Sequence, residues 1–286
     1  MTDNSSIIVV GVDGSEASVD ALRWACTFAQ TSGMSLRAVM AWQHPLTEER
    51  EDYAQTTEEV VLSHLRQIVA DSPCEDIEVR AIEGQPAEVL VKEASESDAV
   101  LLVIGRRGLG TLPDLLLGSV ARAVLHVPPC PVVFVPRRPE TGWSDPSTLV
   151  LAIDGSELSR DVVAVACRMS GEMEIRATVV RCIDVGAEFS PDRLKEIETR
   201  TRAAVTENWC SALEESGHSF EVDVRNAEAR QGIAAAAEEV GAGLVVVGLH
   251  GAGEFRGIGG TTSYLARHLT MPLAVVPPMS SAEHEV

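Results

Sequence analysis

Three glycines and a serine mark the point where an apolar run gives way to a helical pattern: Gly105, Gly108, Gly118 and Ser119, directly behind the run 100–104. A buried strand that passes through a glycine-rich turn into a helix lets main-chain N–H groups converge, and an anion is what such a convergence attracts. Glycine suits these positions because a Cβ would hold a phosphate off and forbid positive φ. Ser119 is expected to cap the helix that follows and to offer its hydroxyl to the same ligand. Arg106 and Arg107 lie inside the turn and supply positive charge there. A second turn, Asp13-Gly14-Ser15, follows the first apolar run. Asp before Gly is a common turn former in its own right. Its interest comes from the possibility of sharing a cleft with the first turn.

The chain around these residues is a tandem repeat. The segment 7–18, with Asp13-Gly14-Ser15-Glu16 and Ser18, reappears at 149–159 around Asp154-Gly155-Ser156-Glu157 and Ser159, at an offset of 141 residues. Pro131-Val-Val-Phe-Val-Pro136 and Pro272-Leu-Ala-Val-Val-Pro277 keep the same offset. Register held over so long a span defines two domains, read as 1–138 and 148–279, joined by a polar, proline-bearing linker at 137–147. In the first half, strand-like runs at 7–12, 36–42, 77–82, 100–104 and 132–135 alternate with helical patterns. Pro86 suits the first turn of one helix. Alternating βα units predict a parallel sheet with helices on both faces. Ligands of such sheets bind at the carboxyl ends of strands where the winding reverses, so neighbouring first and fourth strands would bring both turns to one cleft.

The second half departs from this pattern. Gly105 and Gly108 correspond to Gly248 and Gly251, but the turn is two residues shorter, carries Glu254, and reads Gly259-Gly260 in place of Gly-Ser. The shorter turn is expected to shift the third set of amide donors relative to the first. Thr261 or Thr262 is the candidate to replace the serine hydroxyl. His250 stands in the same turn and reads more simply as a solvent-facing residue.

Composition narrows the function class. Aromatic residues are only 4% of the chain, so aliphatic side chains must build the cores. A net charge of −20 repels nucleic acid and anionic membrane and excludes both as partners. The six cysteines show no CxxC, and buried free thiols of a reducing compartment are expected. The N-terminus lacks the basic start of a signal peptide, so a cytoplasmic location is expected. The acidic run 48–52 reads as a solvated helix start.

The motifs Val-Gly-Val-Asp13-Gly-Ser, Gly84-Gln-Pro86, Gly105-x-x-Gly108-x9-Gly118-Ser119 and Pro131–Pro136 together resemble the universal stress protein family, twice over in tandem and similar to actinobacterial members. The resemblance implies an α/β fold of two doubly wound five-stranded parallel sheets, strand order 3-2-1-4-5, of the nucleotide alpha hydrolase-like kind. It implies the ATP-binding branch: Asp13 on the ribose hydroxyls, Gly11 and Ala41 bordering the adenine, and Gly105, Gly108, Gly118 and Ser119 around the phosphates, with Arg107 beside them. In the second domain Asp154, Gly248, Gly251 and Thr261 are the matching candidates, although Gly84-Gln-Pro86 has no counterpart near Ala229. ATP, with or without Mg²⁺, is the implied ligand. A homodimer and a regulatory protein partner are implied as well. No Gly-Lys-Ser/Thr signature is present and no general base faces a γ-phosphate, so a stress-response regulator sensing nucleotide is expected. A slow ATPase and a nucleotide-free scaffold are the alternatives.

Overall fold

The structure, a computed structural model, describes residues 6–43, 58–108, 117–185, 189–251 and 258–279. The acidic run 48–52 and Glu254 lie outside them. The chain divides into two compact units, Met1–Arg138 and Pro139–Val286.

In the first unit, β1 (Ile7–Gly11), β2 (Ser35–Trp42), β3 (Ile77–Glu83), β4 (Leu101–Gly105) and β5 (Val132–Val135) alternate with α1 (Glu16–Ser32), α2 (Glu58–Ala70), α3 (Pro86–Glu96) and α4 (Ser119–Val124). The strands lie in the order β3-β2-β1-β4-β5, all parallel. Ile8, Val9 and Val10 of β1 and Leu101, Leu102 and Val103 of β4 are fully buried. Burial on both faces is why these strands read as continuous apolar runs rather than alternating ones. α1 lays Ala21, Leu22, Ala25 and Phe28 into the core, with Trp24 stacked on Phe28 at 4.9 Å. Pro86 opens α3, as its fixed φ and missing N–H suit a first turn.

The second unit repeats the plan: β6 (Thr148–Ile153), α5 (Leu158–Ser170), β7 (Arg176–Ile183), α6 (Pro191–Trp209), α7 (Ser211–Glu215), β8 (Ser219–Asn226), α8 (Ala229–Glu239), β9 (Leu244–Gly248), α9 (Gly260–His268) and β10 (Leu273–Val276). Its strands run parallel in the order β8-β7-β6-β9-β10. In each unit the order reverses between the first strand and the fourth, which leaves a cleft at their carboxyl ends.

One expectation needs correcting. Cys26, Cys130 and Cys210 are buried, but Cys74, Cys167 and Cys182 are only half-buried. Cys74 lies in the turn after α2 and Cys182 near the carboxyl end of β7, where the packing opens towards solvent. Burial, together with the Cys26 thiol beside it, still pushes Cys74 up to about 12.

Candidate functional site

The first cleft is built by two turns. After β1, Gly14 takes φ +81°, which lets the chain reverse tightly into α1. Asp13 Oδ1 accepts from the Ser15 N–H at 3.0 Å and from Ser15 Oγ at 2.6 Å. Ser15 Oγ in turn caps α1 by accepting from the Ser18 N–H, while Ser18 Oγ accepts from the Asp13 N–H at 3.2 Å. One carboxylate oxygen therefore holds the turn. The other, Oδ2, lies against the second turn, so close that a Cβ on Gly108 would stand 2.5 Å from it.

After β4, the Arg106 N–H continues the ladder to the Val135 carbonyl at 2.9 Å, and the Gly118 N–H returns to the Arg106 carbonyl at 3.0 Å. This pinch fixes both ends of the loop whatever lies between. Gly105 is required for packing: a Cβ there would meet the Ala17 carbonyl oxygen at 2.7 Å. Burial and the neighbouring Arg107 pull the Arg106 guanidinium below its usual range, while Arg107 is exposed at the rim.

Between the turns lies a cavity of about 340 Å³. Gly11, Asp13, Ala41, Gly105, Arg107, Gly108, Gly118 and Ser119 all line it, together with Val39, Pro86 and Leu90. These candidates thus reach one concavity from the ends of β1, β2 and β4, whereas Arg106, also singled out in the turn, is not among the residues that line it. Its volume falls in the range of small-molecule sites, roughly 300–1,000 Å³. One expectation fails: Ser119 is not the helix cap. Gly118 holds that position, with extended backbone (φ −61°, ψ 159°), and having no side chain it makes no side-chain cap bond, while its N–H donates to Arg106. Ser119 begins α4 and presents an exposed surface to the cavity.

The second unit reproduces this geometry. Asp154 Oδ1 accepts from the Ser156 N–H, Ser156 Oγ and Ser159 Oγ, and Gly155 has φ +84°. A Cβ on Gly251 would stand 2.6 Å from Asp154 Oδ2. The Gly259 N–H donates to the Leu249 carbonyl at 2.8 Å, as Gly118 does to Arg106, and Gly259 caps α9 with φ −62°, ψ 153°. The expected displacement of the third donor set does not occur. The pinch closes at the same place, and the length difference falls within residues 109–116 and 252–257, outside the described residues.

Asp154, Gly248, Gly251 and Thr261 line a cavity of about 350 Å³. Of the two threonines, Thr262 is buried and donates to the Gly248 carbonyl at 2.8 Å, whereas Thr261 is half-buried in the cavity wall. Gly260, not Thr261, occupies the position of Ser119. The sequence reasoning missed Ser18 and Ser159, whose hydroxyls brace the Asp-Gly turns and whose 141-residue offset was the available signal. It also missed Arg181 and Cys182, which line the second cavity and stand where the first unit has Met40 and Ala41.

Among the described residues, no helix is long and apolar enough to cross a membrane. Comparison with known proteins agrees with this architecture. The profile of the Universal stress protein family matches residues 5–136 and again 147–277. A universal stress protein of Mycolicibacterium smegmatis is 29% identical over 292 aligned residues, covering 95% of this chain and 97% of the relative. A universal stress protein of Mycobacterium tuberculosis is 34% identical over 131 residues, 44% of each chain. Among solved structures, a universal stress protein from Archaeoglobus fulgidus matches 97% of this chain and 99% of its own, with a TM-score of 0.67 at 19% identity, a likeness of fold.

Proposed function

This chain belongs to the universal stress protein family, in tandem form, and from that membership we propose that its first unit binds ATP and that the protein works as a nucleotide-sensing regulator of the stress response. The observation that supports this reading is convergence. Residues from Gly11 to Ser119, remote in sequence, line one cavity that has a carboxylate at one wall and a glycine turn at the other. On this reading Asp13 Oδ2 accepts a ribose hydroxyl, Gly11 and Ala41 border the adenine, and Gly105, Gly108 and Gly118 let the turn close around the phosphates, beside the Ser119 hydroxyl. Arg107 offsets phosphate charge at the rim. In the second unit Asp154, Gly248, Gly251 and Thr261 serve the same class of ligand.

Among the described residues no group of three or more His, Cys, Asp or Glu is arranged to hold a metal ion. On this reading any magnesium ion comes with the nucleotide, held by phosphate oxygens and water. The protein binds rather than turns over its ligand, acts in the cytoplasm, dimerises, and offers its nucleotide state to a protein partner.

Calorimetric titration of the full-length protein with ATP, together with mass spectrometry of small molecules released from it, tests the reading. Binding that Gly108→Glu removes, with the circular dichroism unchanged, is the expected outcome. Absence of both bound nucleotide and any ATP-induced rise in melting temperature overturns it, since a ligand of the folded state alone must stabilise that state.

A further inference from the structure

The two cavities match in volume, about 340 and 350 Å³, and in main-chain geometry, yet their charges are placed differently. In the first unit the glycine turn carries Arg106 and Arg107. The same positions in the second unit hold Leu249, which is buried, and His250, and Ser119 is replaced by Gly260. Of the two arginines only Arg107 lines the first cavity, so the second lacks that guanidinium at its turn, and its nearest hydroxyl stands one place further on, at Thr261. A guanidinium appears instead at the opposite wall. Arg181, near the carboxyl end of β7, is half-buried and lines the second cavity. Its Nη2 lies 4.0 Å from where a Cβ on Gly155 would stand, beside Asp154. Among the described residues its guanidinium makes no hydrogen bond or salt bridge. The first unit has buried, uncharged Met40 at this place.

A half-buried guanidinium with five donors and no protein acceptor is suited to a planar or tetrahedral oxyanion. Asp154 faces the same rim, but its Oδ1 is already satisfied by three donors from Ser156 and Ser159, which spread its charge. We propose that the second cavity selects nucleotides carrying a phosphate on the ribose, at the 2′ or 3′ oxygen, and that Arg181 recognises that phosphate. The proposal rests on the reading that these cavities take nucleotides with the aspartate beside the ribose. A long 5′-polyphosphate finds less cationic support at the second turn than at the first, and the ribose phosphate finds more.

The test is calorimetry of the full-length protein with adenosine 3′,5′-bisphosphate, adenosine 2′,5′-bisphosphate, AMP and ATP. Trp209 fluorescence is a local reporter, because its indole lies 3.6 Å from the same Gly155 position. One of the bisphosphates is expected to bind at least tenfold more tightly than AMP. Arg181→Met should erase that preference, Arg181→Lys should keep part of it, and Gly251→Glu should abolish binding while Gly108→Glu leaves it in place. Bisphosphate binding no tighter than AMP overturns the proposal, as does a preference that survives Arg181→Met or follows Gly108 instead of Gly251. If ATP fails to bind the first cavity but the bisphosphate preference still depends on Arg181, the ATP reading falls and this one stands. If no adenine nucleotide binds either cavity, both fall.

Discussion

The two oxygens of Asp13 have different tasks, and the glycines around them do too. Oδ1 is occupied by Ser15, so only Oδ2 faces the second turn. Of the glycines, Gly105 is constrained by the fold, because a methyl there would press on the backbone of α1 at 2.7 Å. At Gly118 a methyl would meet nothing closer than 3.6 Å, and φ is already negative. The two positions therefore separate stability from binding. Gly105→Ala is expected to lower unfolding free energy by about 1–3 kcal/mol, the usual result of overpacking, as read by urea denaturation. Gly118→Ala should leave stability within about 0.5 kcal/mol and still weaken ATP binding, since the added methyl enters only space that a phosphate would fill. Unchanged ATP affinity in Gly118→Ala would mean that the ligand does not approach that turn.

At the scale of elements, the units keep their cavities the same size by compensating exchanges. In the second unit Cys182 of β7 lies against Gly232 of α8, and the matching positions of the first unit hold the smaller Ala41 and the larger Val89. A Cβ on Gly232 would stand 2.6 Å from Cys182 Sγ, so the larger strand residue requires the smaller helix residue. Gly232→Val alone should destabilise by about 1–3 kcal/mol, and adding Cys182→Ala should recover most of that loss in thermal unfolding. Simple additivity of the two changes would show that the contact does not couple them. A second pairing of elements also follows the repeat. Asp20 Oδ2 accepts from the Arg138 N–H at 2.9 Å, and Asp161 Oδ2 from the Met279 N–H at 3.2 Å, so a buried carboxylate on the first helix of each unit fastens the chain leaving its fifth strand. Nothing in the hydrophobic period announces such a bond. The register between the halves did contain it, because donor and acceptor are both displaced by 141 residues.

At the scale of the whole molecule, a net charge of −20 opposes the approach of any polyanion, while Arg106 and Arg107 attract it only at short range. Salt shortens the reach of the first effect more than the second, the screening length falling from about 30 Å at 0.01 M to about 8 Å at 0.15 M. The association rate constant for ATP without magnesium is therefore expected to rise by roughly two- to tenfold over that interval in stopped-flow measurements. A rate that falls with salt would mean that the local arginine field governs the approach.

The order and type of the elements, the tandem repeat and the identity of the turn residues were all legible in the chain, because each depends on local period, glycine spacing or register. Strand limits differ from those expectations by about one residue, as where β1 stops at Gly11 rather than at residue 12. What the sequence left undecided depends on distant groups. Whether two unequal loops end at the same point is settled by the Gly118–Arg106 and Gly259–Leu249 bonds, which length alone does not reveal. Arg181 became a cavity residue only when β7 took its place beside β6, since a side chain's surroundings follow from sheet order and not from its neighbours along the chain.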